Sequence, residues 1–92
     1  MRRGILALLG VLAVIAAAPA ATAATGDLTV GGVVYSDPSG CINLGIEETT
    51  EFVNDTNSTV TVYRTAGCTG AATAILAPGV SGTYTGQSVQ IG

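Results

Sequence analysis

The sequence predicts an all-β domain, a small antiparallel Greek-key sandwich or barrel with one disulfide, preceded by a cleaved signal-peptide helix. Three observations lead there. Beyond residue 23 no apolar stripe at i, i+3, i+4, i+7 persists, while Thr, Val and Gly abound. Short alternating segments are separated by clusters of Gly, Pro, Asn and Ser, the punctuation of a small sandwich or barrel. Two cysteines, Cys41 and Cys68, follow a leader-like N-terminus, and an even count in an exported chain reads as a disulfide.

The leader comes first in the chain. Met1-Arg2-Arg3 is a positive start, residues 4–18 are an unbroken apolar run, Pro19 ends it, and Ala21 and Ala23 offer small residues at −3 and −1 of a cleavage site. The run is too short to span a bilayer comfortably, and no basic cluster follows it. Residues 1–23 are therefore expected to be a signal peptide and 24–92 a single β domain, secreted and extracellular, of about 69 residues. A chain of that length buries only about 60% of its unfolded surface, so it needs a staple. With two cysteines the pairing has one solution, Cys41 with Cys68. Closing that loop stabilises the fold by about 3.5 kcal/mol on the chain-entropy relation. No His and no Cys-x-x-Cys spacing exist to make the thiols a zinc site.

The strands are then read in order. Residues 29–35 form a strand with Gly31-Gly32 as a bulge or bend. Asp37-Pro38-Ser39-Gly40 is a turn, because Pro pre-sets φ and Gly closes it. Residues 48–53 alternate weakly, with Phe52 as the inward anchor. Asn54-Asp55-Thr56-Asn57-Ser58 reads as a loop of turn formers. Residues 59–64 alternate cleanly, with Val60 and Val62 on one face and Thr59, Thr61 and Tyr63 on the other. Gly67-Cys68-Thr69-Gly70 turns again. Residues 72–76 form a short strand, Pro78-Gly79 a β-turn, and residues 88–91 a last strand.

Segments echo one another at a spacing close to 28: Val33-Val34-Tyr35 with Thr61-Val62-Tyr63, Gly40-Cys41 with Gly67-Cys68, and Thr59-Val60-Thr61-Val62 with Ser88-Val89-Gln90-Ile91. A repeat of this length is one Greek-key unit. Tyr63, Gly70, Ser88, Val89 and Ile91 resemble the βγ-crystallin motif, in which a strand ends in an aromatic, a glycine follows, and a serine precedes an apolar-x-apolar strand. Tyr35, Gly40, Thr59, Val60 and Val62 fit the same pattern. The resemblance is to small secreted bacterial proteins of the actinomycete type, akin to the metalloproteinase-inhibitor and killer-toxin-like proteins. It implies a Greek-key fold. It also implies calcium held in the segment 54–59, where Asn54, Asp55 and Ser58 match the family's ligand positions, since hard oxygen donors at a strand-end loop suit Ca²⁺. The corresponding 83–88 segment carries no acid. No other cofactor is expected.

Charge narrows the partners. After leader removal Arg64 is the only base and stands against Asp27, Asp37, Glu47, Glu48, Glu51 and Asp55, a balance of about −5. One Arg on an acidic surface cannot displace counterions from a phosphate backbone, so nucleic acid is excluded, and anionic membrane is disfavoured for the same reason. No acylation cysteine follows the apolar run and no apolar tail ends the chain, so no membrane attachment is expected after cleavage; a monomer is expected.

With no His or Lys, the usual general bases and nucleophile activators are missing. Glu47 and Glu48 are neighbours and point to opposite faces of a strand, as do Glu48 and Glu51, so no acid pair has glycosidase-like geometry. The expected function is a non-catalytic secreted binding module for an extracellular protein, and the family resemblance implies inhibition of an extracellular protease. The alternatives are a minimal hydrolase or toxin acting through its carboxylates, or a structural cell-surface protein. Loops 36–40 and 77–84 are the candidate recognition elements; of the residues Tyr35, Tyr63, Tyr84 and Arg64 that could make contacts, Tyr35 and Tyr63 are expected to be core or corner residues. Asn54-Asp55-Thr56 and Asn57-Ser58-Thr59 also spell glycosylation sequons.

Overall fold

A computed structural model of the protein describes residues 23–92. The expected leader, residues 1–22 together with Ala23, lies outside them except for Ala23. The strands are β1 Gly26–Val30, β2 Val33–Ser36, β3 Cys41–Thr56, β4 Val60–Tyr63, β5 Ala72–Leu76 and β6 Ser81–Ile91. They form one antiparallel sheet in the order β2-β1-β3-β6-β4-β5. Cys41 and Cys68 are bonded, with their Cα atoms 6.0 Å apart. The all-β class and the disulfide are thus found as expected.

Several boundaries differ from the sequence reading, and the strand expected at 48–53 runs from Cys41 to Thr56. Residues 29–35 are not one strand. Gly31 and Gly32 both take positive φ (57° and 87°), and Val30 pairs with Val33, so the two glycines make a two-residue hairpin turn. Two successive positive φ values give the turn a twist that matches the flanking strands, and Gly adopts them without steric cost. The loop expected at 54–58 begins only after Thr56, because Asn54, Asp55 and Thr56 continue the ladder with Leu28, Asp27 and Gly26. β6 starts at Ser81, seven residues before the expected strand; residues 81–86 pair with β3.

The sheet is folded on itself. Cys41–Asn43 of β3 pairs with Gln90–Ser88 of β6, and the pairing resumes only at Glu48 with Gly86. Residues 44–47 thus stand opposite the single residue Gln87. The excess bends the sheet there, with Gly45 at φ 100°. One half holds β2, β1, the end of β3 and the start of β6. The other holds the start of β3, the end of β6, β4 and β5. β6 returns between β3 and β4. The echoed segments occupy unlike places: β2 is a sheet edge and β4 is an inner strand, while 59–62 and 88–91 pair with each other through Val60 with Ile91 and Val62 with Val89.

The halves face each other across one apolar core. Leu28, Val30 and Phe52 come from the first half; Val60, Val62, Leu76, Val89 and Ile91 come from the second. Each follows from period-2 alternation, and each fully buried Val, Leu or Phe contributes about 1.5–3 kcal/mol. Tyr84 packs beside Phe52, ring centres 6.3 Å apart, and Tyr35 also lies against the core. Gly86 sits at the fold of β6, where a Cβ would overlap the Val62 side chain.

Candidate functional site: the loop end

The fold gathers three loops at one end. The 37–40 loop leaves β2, the 57–59 loop leaves β3, and the 77–80 loop leaves β5. Asn54, buried on the inward face of β3, ties two of them. Its Nδ2 donates to Ser58 O and to Leu76 O, each at 2.9 Å. Its Oδ1 accepts from Thr56 N (3.1 Å) and Thr56 Oγ1 (2.6 Å). All four hydrogen-bonding positions of the amide are used, as a buried amide requires. Its backbone holds the 77–80 loop from the other side: Gly79 N donates to Asn54 O at 2.7 Å, and Asn54 N donates to Val80 O at 3.1 Å. Val80 N donates to Ala77 O. With Pro78 second and Gly79 third at φ 84°, this is a type II turn.

The N-terminal residues tie the third loop. Ala24, buried, donates to Pro38 O at 2.9 Å. Gly26 N donates to Asp37 Oδ1 at 2.9 Å, and Asp37 N donates back to Gly26 O at 2.7 Å. Thr25 and Asn57 exchange bonds, Thr25 N to Asn57 Oδ1 at 2.8 Å and Asn57 N to Thr25 O at 3.0 Å. Ile91 N donates to Gly40 O and Gly92 N to Thr59 O. The loops are thus cross-braced, leaving Val80 and the Pro78 turn exposed at the tip.

Charge is divided between the halves. Asp27 lies directly across from Asp55 on the outward face of the first half, with Ser36 on its other side. Glu51 lies on the same outward face, and Asp37 opens the adjacent loop. The only base among the described residues, Arg64, is at the opposite end, 2.8 Å from Glu47.

The structure separates the expected calcium ligands. Asn54 points into the core with its amide fully used, Asp55 points to solvent from the other face, and Ser58 contributes a carbonyl already taken by Asn54. The side chains do not converge. Among the described residues no three His, Cys, Asp or Glu side chains group to hold a metal. Glu48 and Glu51 lie on a regular stretch of ladder, opposite Gly86 and Thr83, and so face opposite ways. Of the two sequons, Asn54 is buried and Asn57 exposed. Loop 36–40 and the 77–80 part of the expected loop 77–84 lie at the cross-braced end, while residues 81–84 belong to β6. Tyr35 and Tyr84 belong largely to the core, Tyr63 is half-buried, and Arg64 is exposed but paired with Glu47.

Sequence reading missed the bracing role of Asn54. Its signal was present in the alternation Phe52-x-Asn54-x-Thr56, which places all three on one face. It also missed Asn43 and Ser88. Asn43 Oδ1 accepts Gly67 N at 2.7 Å, while Ser88 Oγ accepts Cys68 N at 2.9 Å and donates to Thr65 O. Comparison with family models, curated proteins and solved structures gives no match.

Proposed function

We propose that the chain is a small exported recognition module that acts by contact on another extracellular protein, with extracellular proteases as the first target class. The observation that supports this reading most is the braced loop end. Three loops from different parts of the chain are fixed to one another before any partner arrives, and a pre-ordered loop loses little entropy on binding. A domain this small presents about 800 Å² at most to its partner, a standard one-sided interface. The protease target rests on the crystallin-type Greek-key resemblance alone, and fold likeness is a weak guide to activity.

The test is an inhibition assay with the chain Ala24–Gly92, which contains every strand and the whole core. Metallo-, serine and cysteine endoproteases are titrated at a few molar excesses, with Val80→Asp as the loop-end variant. Stoichiometric inhibition that Val80→Asp abolishes, while leaving the melting temperature unchanged, supports the reading. Cleavage of a peptide, glycan or ester by the chain itself, lost in Glu48→Gln or Glu51→Gln, overturns it in favour of carboxylate catalysis. Inhibition of none of them removes the protease target.

A further inference from the structure

We infer that the Asp37–Pro38 peptide bond is a self-scission site, where the chain cuts itself into a β-hairpin and a disulfide-closed remainder. Asp37 has φ 48°, in the left-handed region. A residue before proline is driven toward extended backbone, because its N–H and Cβ meet the proline ring. Asp37 therefore breaks two local preferences at one bond: it has a Cβ in left-handed backbone, and it is not extended before a proline. Such a conformation persists only where the surrounding structure over-determines it. Here it is held from both sides. Asp37 N donates to Gly26 O at 2.7 Å, and Gly26 N donates to Asp37 Oδ1 at 2.9 Å. Pro38 is buried, and Ala24 N donates to Pro38 O at 2.9 Å. One short segment, 24–26, thus grips the residue before the bond and the residue after it. While these hydrogen bonds hold, the strain relaxes only when the peptide bond opens.

The residue types at the bond supply the chemistry. Attack of the Asp37 carboxylate, through Oδ2, on its own carbonyl carbon closes a five-membered cyclic anhydride. The C–N bond to Pro38 breaks, its electron pair takes a proton from solvent, and proline leaves as a secondary amine. Water then opens the anhydride. One water is consumed, and a carboxyl end at Asp37 and an amino end at Pro38 are formed. Asp37 is exposed, so water has access. The charged groups around the bond are acids: Asp27 on β1, across from Ser36, and Asp55 on β3, across from Asp27. Arg64, the only base among the described residues, is paired with Glu47 at the opposite end. The field of these acids draws protons toward the leaving nitrogen.

Scission changes how the fold is held. Both cysteines lie in 38–92, so no covalent bond keeps the hairpin 24–37 in place afterwards. It stays by the pairing of β1 with β3 and by Leu28 and Val30 in the core. The 37–40 loop loses its link to β2, so one of the three braced loops gains a free end. This processing does not depend on the partner class proposed above, and the two readings stand or fall separately.

Incubation of Ala24–Gly92 at about pH 4, the range in which carboxyl groups titrate, followed by intact-mass spectrometry, tests this. The expected products are 24–37 and 38–92, whose masses sum to that of the parent plus one water. An isolated peptide of residues 33–40 has the same bond without the clamp. The folded chain should cleave at least about tenfold faster than this peptide, as release of the held strain requires. Asp37→Asn keeps the acceptor for Gly26 N and removes the nucleophile, so it should abolish both products. Circular dichroism and melting temperature verify that the variant is folded, and the comparison of parent with peptide does not depend on it. Two results would each overturn the proposal: cleavage of the folded chain no faster than that of the peptide, or undiminished products from folded Asp37→Asn.

Discussion

Asn54→Asp is the sharpest test of how this fold holds its loops. The substitution keeps the shape of the side chain and replaces two N–H donors by an oxygen. That oxygen faces Ser58 O and Leu76 O, each of which accepted a bond at 2.9 Å. Leaving a buried acceptor unsatisfied costs about 1–3 kcal/mol; Leu76 O loses this donor, while Ser58 O can still accept from Thr56 Oγ1. A buried carboxylate facing carbonyls must also either remain charged without a partner or take up a proton. At pH 7 the expected loss is about 3–5 kcal/mol. A domain of this length has about 4–10 kcal/mol in all, so the variant should be near the edge of folding. The protonated acid carries one O–H and can donate to one of the two carbonyls. Its pKa in the folded state is therefore raised above the unfolded value of about 3.9 by burial and by this bond. A raised folded pKa contributes stability that is complete below the unfolded pKa and is lost as pH rises through the folded one. The variant should therefore recover part of the deficit at about pH 3.5 and show it fully at pH 7. Urea unfolding, followed by circular dichroism with the disulfide intact, measures the difference from the parent chain at both values and cancels the titration of the other acids. A loss below about 1 kcal/mol at pH 7, or one equal at the two pH values, would refute the role given to Asn54.

Other outcomes follow from the same structure. The purified chain should show a mass two hydrogens below the reduced form, and replacing Cys41 and Cys68 by Ser should lower stability by about 3 kcal/mol in denaturant unfolding. Gly86→Ala forces a Cβ into Val62 at the fold of β6 and should cost about 1–3 kcal/mol in the same assay. Millimolar Ca²⁺ should give no heat in titration calorimetry and leave the melting temperature unchanged, because Asn54 is inside the core and Asp55 is outside it; ion binding abolished by Asp55→Ala would contradict this. Arg64→Gln should change stability by at most a few tenths of a kcal/mol, since Arg64 and Glu47 are 60% and 41% exposed and water screens the pair.

The legible part of this fold was what alternation controls. Val60, Val62 and Phe52 read as inward and are inward, and Ala72–Leu76 is the strand its composition announces. Gly31-Gly32 was read as a bend because a bulge and a two-residue turn use the same residues. What separates them is whether Val30 and Val33 pair, a fact about partners and not about local preference. The segment 54–58 was misread for a related reason. Asn, Asp and Thr favour turns when nothing competes, but β1 supplies a strand to pair with Asn54–Thr56 and a dry layer that absorbs the Asn54 amide. Tertiary pairing overrode propensity. Ladder pairing also places neighbouring residues on opposite faces, so the side chains of Asn54 and Asp55 do not converge.

The buried polar residues explain how so small a core can fix long connections. The apolar residues occupy the middle of the folded sheet, and the buried hydrogen-bonding residues sit toward its ends. At one end Asn54 and Thr56 hold the 57–59 loop, and Asn54 also holds the 77–80 loop. At the other, buried Ser88 and the exposed Asn43 hold the 3₁₀ turn Ala66–Cys68, and the Cys41–Cys68 bond crosses to it. A buried amide or hydroxyl is stabilising only when every position is paired, so Asn54, Thr56 and Ser88 each specify one loop arrangement and penalise the others. The disulfide joins Cys41, which directly follows the 37–40 loop, to Cys68 in the Ala66–Cys68 turn. Without it Gly40 O keeps its bond from Ile91 N, whereas the turn loses its covalent tie. Reduction should therefore loosen residues 64–70 first, and hydrogen exchange at Gly67 and Cys68 should rise before exchange at Asn54, Gly79 and Val80. Simultaneous loss at both ends would mean that the two polar hubs are one cooperative unit, and that the loop end depends on the disulfide for its order.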